Sequence, residues 1–263
     1  MAGLGIIVPG DFGNTGWATG AAKARQDFVS GADRAFVFDA RVAASLFQDR
    51  DGEVPVTDVG QPVRRIKDRS GQGRDAVLGV AATGIPTWQS DGDRYWIDIP
   101  LDARFEIANP IRHNDFTFIA GLRLTGVSGG STYGIVSQDG ISSNSFLALQ
   151  ISRVDGNLAV NLDISTGYEL TGAPLALNAD VVVSARRDVA NVAARCRVNG
   201  GGQAENTSFT GVNFADDQTP TRLFGTAAQS TSGRLYYAAY VRGVRDEDAL
   251  EAVAAQRAGV ALV

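Results

Sequence analysis

One cysteine, one histidine and one methionine, Met1, are all the sulfur and imidazole side chains that 263 residues supply. With Cys196 alone, no intrachain disulfide can form. A structural zinc site needs several Cys or His ligands and has none to draw on. A Ser-His-Asp or Cys-His centre would have to use His113, in "PIRHNDF", where no nucleophile pattern surrounds it. No run of five like charges occurs, and the net charge of −5 runs against a nucleic-acid binder, because neutralising phosphates takes a basic surface. No stretch approaches the apolar length of a membrane-spanning helix. The start, "MAGLGIIVPGDFGN", lacks the basic region and long apolar run of a signal peptide. The expectation is a soluble chain made in a reducing cytosol, with no metal and no cofactor, and with neither nucleic acid nor membrane as a partner.

What is abundant is glycine, at 31 residues, with 44% hydrophobic residues overall. Glycine excess with scattered Val, Ile, Phe and Thr predicts many short strands and tight turns. Strands are expected at 35–40, 63–68, 94–99, 115–124, 146–152, 157–164, 179–187, 191–198, 221–226 and 234–243. In "RYWIDI", alternation sets Tyr95, Ile97 and Ile99 on one side and Trp96 and Asp98 on the other. The Asp-Gly of "RVDG" (153–156) signals a hairpin. In "NVAARCRV", Arg195 and Arg197 face one way while Cys196 faces the core. About a dozen such strands predict an all-β chain, an antiparallel sandwich or barrel. The end predicts a short C-terminal helix, with Asp248 as N-cap, Glu251 completing a capping box and Gly259 as the stop.

Residues 1–34 follow neither a 2.0 nor a 3.6 period, yet carry Ile6, Ile7, Phe12, Trp17 and Phe28. A short helix at 19–29 is plausible there. Such a segment either lies along the parent domain or docks on another chain.

"KDRSGQGRD" (67–75) is the most polar glycine-rich stretch. It is neither a P-loop nor an EF-hand by spacing. A turn is expected, with Asp68 accepting from the N–H of Ser70 or Gly71, and Gly71 and Gly73 at positive φ. No E-x-D pair of the kind retaining glucanases carry sits on a strand. For glycan binding without catalysis, Trp88 in "PTWQSDGD" and Tyr133 in "GGSTYG" are the aromatic candidates; the alternative for Trp88 and Trp96 is a place in the core.

The stretch Ser45–Asp75, "SLFQDRDGEVPVTDVGQPVRRIKDRSGQGRDAV" with its two following residues, resembles a segment recurrent in bacteriophage and prophage structural proteins, "(T/S)LFQDxxGxxPVTxxGxPVxxxxDKSGNGxHA". There it opens a laminin-G-like, or concanavalin A-like, jelly roll. "GIPTWQSDGDRYWIDI" and the ending "YVRGVRDEDALEAV" are similar to later strands and the closing helix of that family. Arg69 replaces the usual Lys, Asp75 the usual His, and "WIDIPLD" replaces an acidic "FDGVDD". The last change removes acids that relatives could offer to calcium. The resemblance implies a jelly-roll sandwich over 35–263 and an N-terminal extended arm over 1–34 that attaches to capsid or other virion proteins. It further implies a capsid decoration or head-fibre protein at the virion surface, made in the host bacterial cytoplasm and self-associating as a trimer; the missing carboxylate pair, not the resemblance, sets the expectation of no enzyme activity. The alternative it leaves open is a tail-fibre or tail-tip protein that binds a host-surface glycan.

Overall fold

The computed structural model describes residues 36–108, 115–127, 132–138, 147–154, 157–164, 169–206, 220–225, 231–243 and 246–263. The arm residues Ile6, Ile7, Phe12, Trp17 and Phe28, the helix expected at 19–29, and His113 lie outside the described residues.

In chain order the strands are β1 (Phe36–Asp39), β2 (Leu46–Phe47), β3 (Arg65–Ile66), β4 (Ala76–Leu78), β5 (Thr87–Ser90), β6 (Tyr95–Ile99), β7 (Phe105–Ile107), β8 (Phe116–Val127) and β9 (Thr132–Gln138). They continue with β10 (Leu147–Val154), β11 (Asn157–Ile164), β12 (Glu169–Pro174), β13 (Asp180–Asp188), β14 (Ala193–Val198), β15 (Gly201–Asn206), β16 (Thr221–Leu223) and β17 (Thr231–Arg242), before helix α1 (Glu247–Ala258). They form two antiparallel sheets packed as a jelly-roll sandwich. One runs β15-β14-β13-β8-β17-β6-β5, with β1 also on β17; the other runs β12-β11-β10-β9-β16-β7-β4-β3-β2. The expected fold class, an antiparallel sandwich with a closing helix, is therefore the one observed. Strands β2, β4, β5, β7, β9, β12 and β15 were not expected. Of these, β2, β4 and β7 are two or three residues long, too short for an alternation to register.

Period-2 alternation places the core. On β8, Phe116, Phe118, Ala120, Leu122 and Leu124 point between the sheets, where Val181, Val183 and Ala185 of β13 and Ile97 and Ile99 of β6 meet them. Cys196 is buried among the same residues. Phe36 stacks on Phe38 and on Tyr240, with centroids at 4.7 and 5.9 Å, and Tyr240 stacks on Phe116 at 5.4 Å. This aromatic file fastens β1 to the centre of the eight-stranded sheet.

Strand β17 changes neighbour halfway along. Its residues 233–235 pair with β6 and its residues 237–240 pair with β1. The register shifts between Leu235 and Tyr237, so the alternation slips by one at Tyr236. Leu235, Ala238 and Tyr240 face the sandwich core, while Tyr236 and Tyr237 both face outward.

Helix α1 covers the outer face of the eight-stranded sheet. Its Leu250, Ala254 and Ala255 pack on Ile119, Val182, Tyr237, Ala239 and Val241. The cap differs from expectation. Asp246 is the N-cap, its side chain accepting from Ala249 N at 3.2 Å, and Gly259 closes the helix in the left-handed region at φ 69°. Glu251 is not part of a capping box; it is drawn under the helix, as described below. Alanines let the helix come very close to the sheet. A Cβ on Gly121 would sit 2.8 Å from the Ala254 carbonyl oxygen, so glycine is required there by contact alone.

Candidate functional site

The outer face of the nine-stranded sheet is built from the residues that alternate with the core. In β7, Phe105 and Ile107 are buried and Glu106 points away; in β4 the pattern is the same for Ala76, Leu78 and Val77; in β16 for Thr221, Leu223 and Arg222. Pairing then sets these outward residues side by side. Phe47 lies opposite Arg65, Arg65 opposite Val77, Val77 opposite Glu106, and Glu106 opposite Arg222. Directly opposed residues share a face, so five strands contribute to one row. No described helix or strand packs over it, whereas α1 covers the corresponding face of the other sheet.

The row is charged and anchored. Glu106 lies 3.5 Å from both Arg104 Nε and Arg222 Nε. Arg65 donates to Asp75 through Nε at 2.8 Å and through Nη2 at 2.6 Å, and its Nη1 donates to the Asp51 carbonyl at 2.8 Å. Arg50 donates to the Gly79 carbonyl at 2.6 Å. Chemically this is a mostly buried strip of guanidinium donors and carboxylate acceptors beside Phe47, in which the Glu106 side chain is 29% and that of Arg222 12% exposed. It suits hydroxyl-rich ligands better than bond-breaking, since the one carboxylate of β7 is engaged by two arginines. Sequence reading missed Glu106 and Arg222. The alternation in "FEI" and "TRL" is a signal for each, but nothing local indicates that the two strands are neighbours.

The "KDRSGQGRD" turn borders this row through Asp75. Asp68 Oδ1 accepts from Ser70 N at 2.8 Å and from Val37 N at 3.0 Å, and Oδ2 accepts from Ser70 Oγ at 2.7 Å and Arg74 N at 3.1 Å. Asp75 Oδ1 accepts from Asp68 N at 2.8 Å. Gly71 and Gly73 have φ of 81° and 69°, backbone that side chains rarely adopt. Val37 belongs to β1 of the opposite sheet. The turn thus links the two sheets at their edge, an outcome no local reading of the turn supplies.

Of the aromatic glycan candidates, Trp88 is corrected. It is 7% exposed, stacks on Tyr95 at 5.3 Å and donates from Nε1 to the Ala40 carbonyl at 2.8 Å. One face and its polar edge are used internally and the ring is buried in the core cluster, so it is not presented to a sugar. Trp96 is buried on the outside of the eight-stranded sheet, against Tyr236 and Ala258, with the Arg234 guanidinium 4.4 Å from its ring centroid. Tyr133 lies in β9 opposite Ile151; its side chain is outside the described residues. Among the described residues, no group of three or more His, Cys, Asp or Glu is placed to hold a metal ion. Among the described residues, no helix is long and apolar enough to cross a membrane.

A second polar cluster stands on the outer face of the eight-stranded sheet beyond the end of α1. Asp180 accepts from Arg123 Nε at 2.8 Å, from Tyr236 Oη at 2.6 Å and from Arg94 Nη1 at 2.9 Å. Burial alone would raise the Asp180 carboxyl, but the bonds from Arg123, Tyr236 and Arg94 outweigh it and hold the group below the usual carboxylate range. Arg94 also donates to the Ala258 carbonyl at 3.1 Å, so this cluster fastens the end of the helix.

No family model matches the sequence, and no curated protein matches it. Solved structures do match in fold. Domain 4 of AbnA, a GH43 extracellular arabinanase from Geobacillus stearothermophilus, solved with arabinotriose, superposes with a TM-score of 0.57 at 13% identity, over 72% of this chain and 92% of that one. The CBM40 of a Ruminococcus gnavus IT-sialidase, bound to α2,3-sialyllactose, gives 0.50 at 17% identity, over 60% and 95%. An arabinofuranosidase complexed with arabinofuranosyl-α-1,2-xylobiose gives 0.53 at 12% identity, over 75% of this chain and 50% of that one. The chain therefore has a lectin-like β-sandwich fold of the type seen in carbohydrate-binding domains. At these identities it is the fold that is shared.

Proposed function

We propose that this chain is a virion structural protein that displays a non-catalytic, glycan-binding jelly roll, with residues 1–34 as its attachment arm and 35–263 as the displayed domain. The observation that carries the glycan reading is the asymmetry of the sandwich. One outer face is closed by α1, and the other presents the row Phe47, Arg65, Val77, Glu106 and Arg222. Similar sandwiches solved with bound saccharides support it. The virion reading rests on the resemblance of Ser45–Asp75 to phage structural proteins, and trimeric self-association belongs to the same reading.

A glycan array with the full chain tests the binding. A saturable ligand that is lost in Arg222→Ala is expected; a clean array, or binding unchanged by that variant, refutes the assignment. Deleting residues 1–34 tests the arm: the truncated protein should stay folded and fail to join particles, and normal incorporation refutes it. A capsid decoration or head fibre is the first placement and a tail-fibre or tail-tip protein the second, favoured by the sugar-bound neighbours. Immunogold labelling of intact particles on head or tail separates the two. Sedimentation at micromolar concentration should show a trimer; a monomer removes that part of the proposal.

A further inference from the structure

Under helix α1 lie two almost fully buried carboxylates, Glu247 and Glu251, that share one hydroxyl. Ser184 Oγ, itself buried on β13, is 2.7 Å from Glu247 Oε1 and 2.5 Å from Glu251 Oε1. A serine hydroxyl carries one proton and can donate once. If both carboxylates were ionised, one carboxylate oxygen would face a lone pair of Ser184 at bonding distance. The second short contact therefore requires a second proton, carried by a carboxyl group. Oxygen–oxygen distances of 2.5 to 2.7 Å are those of bonds in which a proton lies between the two atoms.

The remaining contacts say which carboxyl carries it. Arg195 donates twice to Glu247 Oε2, through Nε at 2.7 Å and Nη2 at 2.6 Å. Glu251 Oε2 receives one bond, from Arg197 Nη2 at 2.9 Å, while Arg197 Nη1 is turned to Asp248 at 2.8 Å. The chain of donation is then Glu251 to Ser184 to Glu247.

We infer that the Glu247–Ser184–Glu251 triad retains one proton at neutral pH, and that this proton clasps helix α1 to the eight-stranded sheet, so that the helix is released as pH rises. Other charged groups surround the triad on every element packed against it. On β14 they are Arg195 and Arg197, on β13 Arg186 beside Asp188, and on β15 Glu205, opposite Arg195. On the helix they are Asp246, Asp248 and, at its far end, Arg257 paired with Asp39. The chain end at Val263 lies beside Gly200. Burial pushes the Glu251 carboxyl above its usual value, the Arg197 charge opposes this in part, and Glu247 and Asp248 add to it. A carboxyl raised on folding contributes stability below its unfolded value that is lost as pH climbs through the folded value. On deprotonation the proton passes to solvent, and two buried anions are left facing one hydroxyl. Release uncovers Ile119, Val182, Tyr237, Ala239 and Val241, an apolar strip otherwise sealed by the helix. The clasp is independent of the glycan reading, since it sits on the opposite face of the sandwich.

The test is hydrogen exchange of the α1 amides, referenced at each pH to the β8 amides so that the intrinsic rate cancels. In the full-length chain, relative protection should fall with rising pH by up to tenfold per pH unit once the folded value is passed. Glu251→Gln supplies an amide that donates to Ser184 and accepts from Arg197, and should keep the helix protected with no pH dependence. Equal pH profiles for the two proteins overturn the clasp. Infrared spectra decide the matter without a variant: the unsubstituted protein at pH 7 should show the carbonyl band of a buried protonated carboxyl, fading at alkaline pH. Only ionised carboxylate bands at pH 7 overturn the inference, whether or not the glutamine variant folds.

Discussion

Replacing Asp68 with alanine should cost this protein about 3 kcal/mol, because one carboxylate serves both a turn and a distant strand. It accepts from Ser70 N, Ser70 Oγ and Arg74 N within the turn, and from Val37 N in β1, 31 residues away. Bonds to a charged acceptor are worth roughly 1.5–3 kcal/mol when buried, and less where water can take the acceptor's place. The Val37 bond joins the two sheets, and its loss is assigned about 2 kcal/mol; the local bonds, nearer solvent, supply about 1 kcal/mol together. Asp68→Asn separates the contributions. Its carbonyl oxygen can still accept from Val37 N and Ser70 N, while its amide cannot accept from Arg74 N, so about 1 kcal/mol should be lost. Urea unfolding of the three proteins, with the midpoints compared at a common slope, measures both steps. A loss below about 1 kcal/mol for the alanine variant, or equal losses for the two, would refute the claim that this side chain joins the sheets.

Gly121→Val places branched carbons where the Ala254 carbonyl already sits 2.8 Å from the first of them, so the helix must lift; a loss of about 2–3 kcal/mol and faster exchange at Ala254–Ala258 are expected, and unchanged exchange would disprove the contact. Trp88→Ala should destabilise by about 3–5 kcal/mol, while Trp88→Phe, which strips the Ala40 carbonyl of its donor, should cost about 1–2 kcal/mol. Neither should alter the affinity of the folded protein for a glycan, and a selective loss of binding in the phenylalanine variant would return Trp88 to the ligand site. Because Asp180 is held below the usual carboxylate range, its contribution is present above the unfolded value near 3.9 and is lost as pH falls through the lower folded value. Thermal unfolding between pH 6 and 2 should therefore decline more steeply in the unsubstituted protein than in Asp180→Asn; parallel curves would deny Asp180 that role.

The long strands and the closing helix were legible in the residues because alternation and capping are local. Phe116, Phe118, Ala120, Leu122 and Leu124 recur at every second position, and this inward set is the core. "RYWIDI" divides as its pattern requires, Ile97 and Ile99 inward and Asp98 exposed. Where the reading erred, a distant group had taken the side chain. Glu251 has the spacing of a capping-box acid, yet it lies under the helix with Ser184 and Arg197, and Asp246 caps instead. Trp88, which the sequence left between a glycan site and the core, is held in the core by the Ala40 carbonyl and Tyr95.

The sequence by itself determined the class of fold and the conformation of its turns, because strand period, glycine φ and side-chain-to-backbone bonds act over a few residues. Gly71, Gly73 and Gly259 need no partner from elsewhere to require positive φ. Which face the helix covers, which charges are shared and where a proton is held came from contacts between distant segments. Those depend on β7 lying beside β16, on β13 lying under α1, and on the slip at Tyr236 that turns two tyrosines outward. Such adjacencies are set by the closure of two sheets around one core, a condition on the whole chain that no short stretch of it encodes.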